Sequence, residues 1–440
     1  MVQIKRSFWF VLVISASLLI GCGQQASEQP TTPIANAGED QVVFLNLQCQ
    51  LDGSRSAGNL AVYSWKPVSY PSSTPPALVS SNAKKAYFTP TALGTFEFEL
   101  DLSNSLGASS AEVMIQVIPF EVPSIEAGFY GVCAHLQDHD DVNSLLQPMT
   151  EAGIQFVRYD FDWKDIEPLD DQFVFSKYDQ VVAQLKTKGL KTLGILDYGN
   201  KWSDPTTGKT DEINRFADFA YNTVKHFKND IKLWQIWNEP NSELFWISPE
   251  AANYTKLLKS AYAAVKQADP TAAVILGGLV GNGKDEIYIS NIRFAKLNYL
   301  SDIYNNGGKD YFDVADIHPY TFSIDITSTA SLETAIADTK AIMVNSGDGG
   351  KPLWITELGP LFFPPVPLPY LSERGYTDEE VAAWLNLIYT NLKGKCEKLF
   401  WYEMRDYPGA TTIYNPNWEG LLKADYSIKA GFTVYKNLFK

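Results

Sequence analysis

Residues 33–119 alternate between apolar and polar side chains in several short segments. In residues 96–102 every second side chain is Phe or Leu and those between are Glu or Asp, and residues 113–117 repeat the alternation with Val and Ile. A period of two is typical of β-strands with one buried and one wet face. Turn-forming residues lie between these segments, so the pattern predicts a small all-β sandwich of the immunoglobulin-like type over residues 33–119.

After residue 127 the pattern changes to short, continuous apolar runs separated by amphipathic stretches. Continuous apolar runs are typical of strands buried on both faces, and the stretches between them have the period of helices. Eight such units over residues 128–440, after a linker at residues 120–127, predict an α/β fold, a closed (β/α)8 TIM barrel. The strand candidates are Gly128–Cys133, Ile154–Arg158, Lys191–Asp197, Lys232–Asn238, Ala273–Gly277, Phe312–Ile317, Pro352–Glu357 and Lys398–Tyr402. The clearest helix candidates are Tyr178–Lys188, Glu212–Phe227, Ala251–Ala268 and Glu379–Leu392.

Residues 1–21 have the pattern of a targeting segment. Lys5 and Arg6 precede an apolar run, Phe8–Ile20, that is too short to span a bilayer as a helix, so we expect a signal peptide. Residues 22–32 are rich in Gln, Ser, Thr and Pro and lack periodicity, which predicts a flexible tether.

The end of the targeting segment, Leu19-Ile20-Gly21-Cys22, resembles the lipobox of bacterial lipoproteins. This resemblance implies cleavage before Cys22 and a diacylglycerol on its thiol, and therefore a membrane anchor in the cell envelope. Gly23 stands where lipoproteins retained in the inner membrane often carry Asp, which favours the outer membrane. The alternative is an ordinary secretory signal in which the Cys occurs by chance.

The composition, with 45% hydrophobic and 20% charged residues, is that of a folded protein. The 36 basic and 51 acidic residues give a net charge of −15, which argues against nucleic acid or an anionic lipid surface as the main partner and favours a neutral ligand. With Cys22 lipidated, Cys49, Cys133 and Cys396 remain, an odd number spread over two domains. We therefore expect buried thiols and no disulfide framework.

Two carboxylates fall at predicted C-terminal ends of barrel strands. Strand four ends in Trp237-Asn238-Glu239-Pro240-Asn241 and strand seven in Trp354-Ile355-Thr356-Glu357. Both therefore face the mouth where such barrels place their chemistry. A carboxylate pair suits glycoside cleavage, in which one acid protonates the leaving oxygen and the other attacks the anomeric carbon or activates water. The alternatives are a residue that favours a helix N-terminus for Glu239 and a solvated rim carboxylate for Glu357. No His/Cys cluster has metal-ligand spacing, so neither a metal nor a cofactor is predicted.

The segment Trp237-Asn238-Glu239-Pro240-Asn241 resembles the acid/base motif of glycoside hydrolase clan A, retaining enzymes built on this barrel. The similarity extends across the C-terminal domain and implies that Glu239 is the acid/base and Glu357 the nucleophile. It also implies that Arg158 supports the nucleophile and that Asn238 binds the sugar 2-hydroxyl. The alternative for Arg158 is a simple ion pair with a neighbouring Asp.

The same resemblance implies roles at other strand ends. His318-Pro319-Tyr320 is similar to the clan's His-x-Tyr, whose Tyr hydrogen-bonds the nucleophile, and Trp401 matches the Trp that floors the cleavage subsite. We also expect contacts with substrate, or support for them, from His135, Trp163, Tyr198 and Trp202. The alternatives are local hydrogen bonds for the polar residues and core packing for the aromatic ones.

Within the clan, the order and spacing of the motifs look most like family 39, with family 5 next. The sequence departs from the family 5 pattern after strand three, where Leu196-Asp197-Tyr198-Gly199-Asn200 stands in place of an expected His. The sandwich resembles the polycystic-kidney-disease (PKD) type of immunoglobulin-like domain in Ala35-Asn36-Ala37-Gly38-Glu39-Asp40-Gln41, Leu51-Asp52-Gly53-Ser54 and Tyr63-Ser64-Trp65.

The favoured function is a retaining β-glycosidase or β-glycanase that acts on a carbohydrate as a monomer. A rival function is a catalytically inactive, surface glycan-binding lipoprotein, against which the presence of both Glu239 and Glu357 argues. A third possibility is that the sandwich is an adhesion module and the barrel its passenger. No row of exposed aromatic residues is recognisable in the sandwich, so we interpret that domain as a spacer.

Overall fold

The computed structural model describes residues 31–59, 61–119, 123–125, 127–137, 140–289, 292–320, 327–360, 377–407 and 419–438. The predicted signal peptide, Cys22 and most of the predicted tether lie outside these residues. Within them, no helix is both long enough and apolar enough to cross a membrane.

Six strands form the N-terminal domain: β1 (Gln41–Phe44), β2 (Cys49–Asp52), β3 (Val62–Ser69), β4 (Lys85–Phe88), β5 (Gly94–Asn104) and β6 (Gly107–Ile118). One sheet has the order β1-β6-β5-β3 and the other pairs β2 with β4. The apolar side chains that alternate in β5 and β6 point inward and pack around the buried Trp65. The alternation predicted from the sequence is therefore present in the longest strand pair of this β-rich domain.

The strands of the C-terminal domain are β7 (Tyr130–Cys133), β8 (Phe156–Asp162), β9 (Lys191–Asp197), β10 (Leu233–Ile236), β11 (Ala273–Ile275), β12 (Leu279–Val280), β13 (Ile287–Ile289), β14 (Ile292–Ala295), β15 (Ala315–His318), β16 (Leu353–Leu358) and β17 (Lys398–Trp401). Apart from the β13–β14 hairpin, they form one curled parallel sheet in the order β11-β10-β9-β8-β7-β17-β16-β15-β12. Each of the eight predicted strands overlaps an observed one.

The fifth predicted strand is split into β11 and β12, and this split strand closes the barrel. β11 pairs with β10 on one side, while β12 pairs with β15 and a bridge joins Ile275 to Val314 on the other. The break includes Gly278, where an added Cβ atom would lie 1.9 Å from Nε2 of His318. Glycine is therefore required where the chain passes this histidine. The expected (β/α)8 barrel is confirmed, and the β13–β14 hairpin that follows β12 was not predicted.

The helices that surround the barrel are α1 (Val142–Glu151), α2 (Trp163–Ile166), α3 (Ser176–Thr187), α4 (Thr210–Phe227), α5 (Ala251–Ala268), α6 (Tyr299–Asn305), α7 (Ala330–Asn345), α8 (Asp378–Leu392) and α9 (Ala430–Asn437). Two 3₁₀ turns, Pro205–Thr207 and Lys309–Tyr311, complete the described elements. Two layers of apolar packing result. One fills the space between strands and helices, and a smaller one, which includes Phe156, Leu193 and Phe400, fills the barrel interior.

The sandwich packs against helices α4 and α5. The Gln50 side-chain amide donates to the Asp218 carboxylate on α4 at 3.0 Å, and Lys85 forms an ion pair with the same carboxylate. Gln267 on α5 accepts from the Gln50 backbone N–H at 3.1 Å and donates to its carbonyl at 2.9 Å. Phe44 of the sandwich is part of the large apolar layer of the barrel. The two domains therefore share a buried, specifically hydrogen-bonded interface.

The cysteines within the described residues are Cys49, Cys133 and Cys396. All three are buried and free, as the sequence predicted. Burial raises the pKa of the Cys396 thiol to about 12, so this group is not poised as a nucleophile.

Candidate active site

Glu239 and Glu357 reach the barrel mouth from β10 and β16, which the split strand five and β15 separate on the shorter way around the barrel. Glu239 lies three residues beyond β10, in a turn where Trp237 and Glu239 both have positive φ angles, +70° and +47°. Such backbone angles cost non-glycine residues about 1 kcal/mol or more and persist where surrounding contacts hold them. Glu357 lies in β16 itself. Both side chains are nearly inaccessible, with 4% and 8% of their surfaces exposed.

A single histidine stands between the two carboxylates. Nδ1 of His318, at the end of β15, is 2.9 Å from Oε1 of Glu239 and 3.1 Å from Oε2 of Glu357. One oxygen from each glutamate and this ring lie within 4.8 Å of one another. The two carboxylates are therefore close neighbours, linked by the imidazole.

The hydrogen bonds around His318 show where its protons lie. Thr356 donates its only hydroxyl proton to Asp316, so Nε2 of His318, 3.0 Å from Thr356 Oγ1, acts as the donor in that contact. Nδ1 faces two carboxylates and also needs a proton. Burial alone lowers the pKa of His318, but the charge of Glu357 and the hydrogen bond with Glu239 outweigh it and raise the pKa to about 9. An imidazolium is thus the expected form near neutral pH.

Arg158 in β8 holds Glu357 from the opposite side. Its Nη1 donates to Oε1 of Glu357 at 3.2 Å, its Nη2 to Oδ1 of Asn238 at 2.8 Å, and its Nε to Oε1 of Gln235 at 2.8 Å. The guanidinium is buried, with 3% of the residue exposed. Three donors of one planar group therefore fix the nucleophile candidate, the residue before Glu239 and a strand side chain in one arrangement.

The environments of the two glutamates shift their pKa values in opposite directions. Burial, and then the negative charge of Glu357, raise the pKa of Glu239, although His318 works against this shift. Burial would also raise the pKa of Glu357, but His318 and Arg158 together outweigh it and hold that pKa well below the usual value. Such a split favours a protonated acid beside an ionised carboxylate.

His135, after β7, belongs to a second polar cluster beside the pair. Its Nε2 is 3.0 Å from Oε2 of Glu403 and 3.2 Å from the Tyr402 hydroxyl. Burial lowers the pKa of His135, but the hydrogen bond and charge of Glu403 raise it to about 9. Its positive charge is one of the influences that lower the pKa of Glu357. The expectation that His135 supports the site thus has a physical basis.

Trp401 does not reach the barrel mouth. It is 1% exposed, packs edge-to-face on Trp384 of α8 at 6.1 Å and donates its ring N–H to the Glu419 carbonyl. Alternation along the strand turns Phe400 and Tyr402 into the barrel and Trp401 toward the helices. The predicted role of Trp401 as subsite floor is therefore wrong, and Tyr402 is the inward-facing ring at that height.

Tyr320 lies beside the site without the hydrogen bond expected of it. Its ring meets that of His318 edge-to-face at 6.5 Å, and its pKa is raised well above the usual value by burial and by the charge of Glu357. Among the described residues, the hydrogen bond to Glu357 comes from Arg158 and the ion pair from His318. Tyr320 of the His-x-Tyr motif thus lies near the nucleophile candidate Glu357, and His318 is the motif residue that contacts it.

The three other aromatic candidates divide into one near the site and two in packing layers. Tyr198 follows β9, stacks on Phe245 at 6.0 Å and meets Trp237 edge-to-face at 5.4 Å, so it lines the Glu239 side of the mouth. Trp163 is wholly buried against Phe219 of α4. Trp202 meets Trp163 edge-to-face at 5.4 Å. Because α2 begins at Trp163, the chain there has already turned toward the outer helices, and these two rings pack rather than face the pair.

Glu239, His318 and Glu357 are also the kinds of residues that ligate metals, and their donor atoms lie within 4.8 Å of one another. The protons and charges already present work against that use. The expected imidazolium has a proton on Nδ1, and Arg158 donates to Glu357 at 3.2 Å, so a cation would have to displace both. The arrangement suits proton transfer and nucleophilic attack better than metal binding.

Sequence reasoning missed a buried polar network beneath the pair. Gln235, Asp316 and Thr356 lie inside the barrel on β10, β15 and β16; Gln235 and Thr356 both donate to Asp316, and Arg158 donates to Gln235. Burial raises the pKa of Asp316 to about 6. The available signal was a polar residue within each mainly apolar strand, three residues or fewer from a predicted site residue.

Comparisons with known proteins agree with this geometry. The family model described as cellulase, glycosyl hydrolase family 5, matches residues 120–401. Among solved structures, the chain is similar to a family 39 glycoside hydrolase from the gut symbiont Bacteroides cellulosilyticus WH2, with 21% identity, a TM-score of 0.55, and coverage of 92% of this chain and 82% of that one. Curated protein sequences gave no match.

Two further solved structures share the fold. A monomeric β-xylosidase from Caulobacter crescentus CB15 has 17% identity and a TM-score of 0.55 over 73% of this chain and 69% of that one. Xylanase 10B from Thermotoga maritima has 19% identity and a TM-score of 0.50 over 70% and 94%. At these identities the structures show the fold alone. Family 39 was the first expectation from the sequence, whereas the family model that matches is that of family 5.

Proposed function

The chain belongs to the cellulase family, glycosyl hydrolase family 5, and on that premise we propose that it hydrolyses β-glycosidic bonds with retention of configuration. One observation carries the proposal: carboxylate oxygens of Glu239 and Glu357 lie within 4.8 Å of each other. Retaining glycosidases have carboxyl groups about 5–5.5 Å apart, whereas inverting ones need about 6.5–9.5 Å to admit a water. The short separation supports direct attack by Glu357.

In the first step, ionised Glu357 attacks the anomeric carbon while Glu239 gives its proton to the leaving oxygen. The glycosidic C–O bond breaks and a glycosyl ester forms on Glu357. Arg158 keeps Glu357 ionised and oriented, and it fixes Asn238 through that side chain's carbonyl oxygen. The Asn238 amide is then available to donate to the sugar 2-hydroxyl.

In the second step, Glu239 changes from acid to base. Once Glu357 is esterified, its negative charge no longer raises the pKa of Glu239, so Glu239 stays ionised and accepts a proton from water. The activated water attacks the anomeric carbon and the ester bond breaks, which regenerates Glu357. His318, 2.9 Å from Glu239, stabilises the carboxylate form of the base.

The stereochemical course tests this proposal directly. An aryl β-glycoside that the protein cleaves is followed by proton NMR from the first minutes, before the product mutarotates. We expect the β anomer to appear first and Glu357→Gln to abolish the reaction. First appearance of the α anomer would refute the nucleophile role of Glu357. Binding of glycans without any hydrolysis would instead favour the inactive glycan-binding lipoprotein.

We also propose that Cys22 carries lipid and anchors the protein in the cell envelope, in the outer membrane, with the PKD-like sandwich as a spacer. The support is the lipobox-like Leu19-Ile20-Gly21-Cys22. The natural host or a lipoprotein-processing bacterium expressing the full chain is labelled with a fatty acid. Label should enter the wild type and a Cys49→Ser control but not Cys22→Ser. Label in Cys22→Ser would exclude this anchor, and size-exclusion chromatography in detergent tests the expected monomer.

A further inference from the structure

Two aspartates lie together at the mouth on strands β8 and β9. Arg158 on β8 points into the barrel, where it contacts Glu357, so Asp160, two residues later, points to the same side. Leu193 on β9 belongs to the apolar layer of the barrel interior, so Asp197, four residues later, also points inward. β8 and β9 are neighbours, with Asp162 opposite Asp197 and Asp160 opposite Ile195. Asp160 is thus one inward position above Arg158, Asp197 is one inward position above Ile195, and their carboxyls are neighbours across the two strands.

Asp197 is buried without a donor. Its exposed fraction is 0%, and neither of its carboxylate oxygens accepts a hydrogen bond from another group in the described part of the chain. The group within hydrogen-bonding reach is the carboxyl of Asp160, and burial together with Asp160 raises the pKa of Asp197 well above its usual value. Two adjacent carboxyls satisfy each other only when one proton lies between them.

Asp160 is the accessible member of this pair. It is partly exposed, and one of its oxygens accepts from the Gln137 amide at 2.7 Å. Asp197 lies wholly behind it. A ligand at the mouth therefore meets Asp160 before Asp197.

The described cations near the glutamates already face carboxylates. Arg158 donates to Glu357, His318 lies between Glu239 and Glu357, and His135 is 3.0 Å from Glu403. With one proton shared between its carboxyls, the Asp160–Asp197 pair adds one negative charge to this mouth. A sugar hydroxyl can donate to the acidic side of the mouth that Asp160 and Asp197 form, which we call the acidic wall. A sugar carboxylate would meet like charge there, and each of the described cations near the glutamates already has an anionic neighbour.

We propose that Asp160 binds hydroxyl groups of the sugar unit held at the cleavage site. Asp197 is a positioning residue that shares a proton with Asp160. The acidic wall formed by the two residues selects sugars without a carboxylate. This inference rests on the proposed function and narrows its substrate class to uncharged glycosides. Asp197 lies at the strand-three end, where the sequence departs from the family 5 pattern, and Asp160 lies on the neighbouring strand. The difference there is thus interpreted as a specificity feature of this chain.

The test uses the full chain and aryl β-glycosides. Wild type, Asp160→Ala, Asp197→Leu, Asp197→Asn and a control, Asp170→Asn on the exposed surface, are compared on the most active neutral aryl glycoside, its monodeoxy derivatives and the aryl β-glucuronide. Loss of a hydrogen bond to a charged group corresponds to about a 10- to 100-fold change. We expect Asp160→Ala to raise KM by that factor with a smaller change in kcat, and Asp170→Asn to resemble the wild type.

Two results identify the role of the pair. One monodeoxy glycoside should lose about 10- to 100-fold in kcat/KM with the wild type and show no comparable loss with Asp160→Ala. Asp197→Asn, whose amide still donates to Asp160, should retain more substrate affinity than Asp197→Leu, and thermal melting shows whether each variant is folded. Equal deoxy-sugar discrimination in wild type and Asp160→Ala, or efficient cleavage of the glucuronide, would overturn the inference. Absence of any Glu357-dependent hydrolysis would instead overturn the proposed function.

Discussion

Replacing Arg158 by Lys keeps a positive charge beside Glu357 but removes the planar set of donors. The guanidinium reaches three acceptors at once, at 3.2 Å for Glu357 and 2.8 Å for both Asn238 and Gln235. An ammonium group on a flexible chain cannot occupy the same three donor positions. We therefore expect Arg158→Lys to fold but to hold the nucleophile loosely.

The size of the effect follows from the contact that is lost. A hydrogen bond to a charged group contributes about 1.5–3 kcal/mol. If the contact with Glu357 is lost in the transition state, kcat/KM falls by about 10- to 150-fold, because each 1.36 kcal/mol is about a factor of ten in rate. The contacts with Gln235 and Asn238 act mainly on stability, so the melting temperature should also fall.

Arg158→Met separates charge from geometry. In the folded protein Arg158 helps to hold the pKa of Glu357 below its usual value, so removing the guanidinium raises that pKa. Glu357 must be ionised to attack. The acidic limb of the kcat/KM profile should therefore move to higher pH in Arg158→Met and much less in Arg158→Lys, which keeps a cation.

The assay is hydrolysis of an aryl β-glycoside from pH 3 to 10, with melting curves recorded for each variant. Arg215→Lys is the matched control, because Arg215 forms an exposed ion pair with Asp170 rather than with either glutamate. Retention of kcat/KM within about threefold by Arg158→Lys, well short of the loss of one charged hydrogen bond, would contradict the proposed support of the nucleophile. An unmoved acidic limb in Arg158→Met would contradict the electrostatic argument.

Other predictions test the roles of the glutamates, the inward-facing ring and the domain interface. With a 2,4-dinitrophenyl leaving group, which needs no proton, Glu239→Gln should retain its first step far better than Glu357→Gln in burst kinetics; equal losses would mean the roles are misassigned. Trp401→Ala should lower the free energy of unfolding in urea by about 3–5 kcal/mol, because it leaves a cavity beside Trp384. Tyr402→Phe should change KM with little loss of stability. The reverse pattern would show that Trp401, and not Tyr402, faces the mouth. Lys85→Met should destabilise the protein by about 3–5 kcal/mol at pH 7, because it leaves buried Asp218 without its cation. The control Lys66→Met, which removes an exposed ion pair, should cost less than about 1 kcal/mol. Burial already raises the pKa of Asp218, so the loss in Lys85→Met should shrink as pH falls and that carboxyl protonates; a loss independent of pH would argue against the ion pair.

The elements of the barrel were predictable because each strand and helix carries its own periodicity. Lys191–Asp197 and Ala251–Ala268 have the bounds that the sequence predicted. Local patterns cannot show a strand that pairs through only a few residues, and the hairpin β13–β14 was missed for that reason. The division of strand five depends on Gly278 meeting His318, a contact between residues 40 positions apart, and no window of sequence contains both.

The positions of Glu239 and Glu357 were predictable from strand order, whereas the facing of individual rings was not. Trp401 and Tyr402 are adjacent, and a shift of one residue exchanges the barrel interior for the helix layer. The apolar run Leu399-Phe400-Trp401-Tyr402 gives no polar residue to mark which face is inward. The resemblance to clan A implied a Trp at the cleavage subsite, but in the observed register Trp401 faces the helix layer.

The polar residues beneath the site carry the information that the apolar pattern lacks. Interior side chains of a barrel alternate along each strand, so Arg158, Gln235 and Thr356 share one interior with the glutamates above them. A buried polar group without partners costs about 1–3 kcal/mol, so the presence of several on neighbouring strands requires that they satisfy one another. Their mutual bonds, from Arg158 to Gln235 and from Gln235 to Asp316, fix strand register beneath the pair. This register then places Nδ1 of His318 within 3.1 Å of an oxygen of each glutamate. The whole polar network, rather than any single sequence motif, therefore determines these distances.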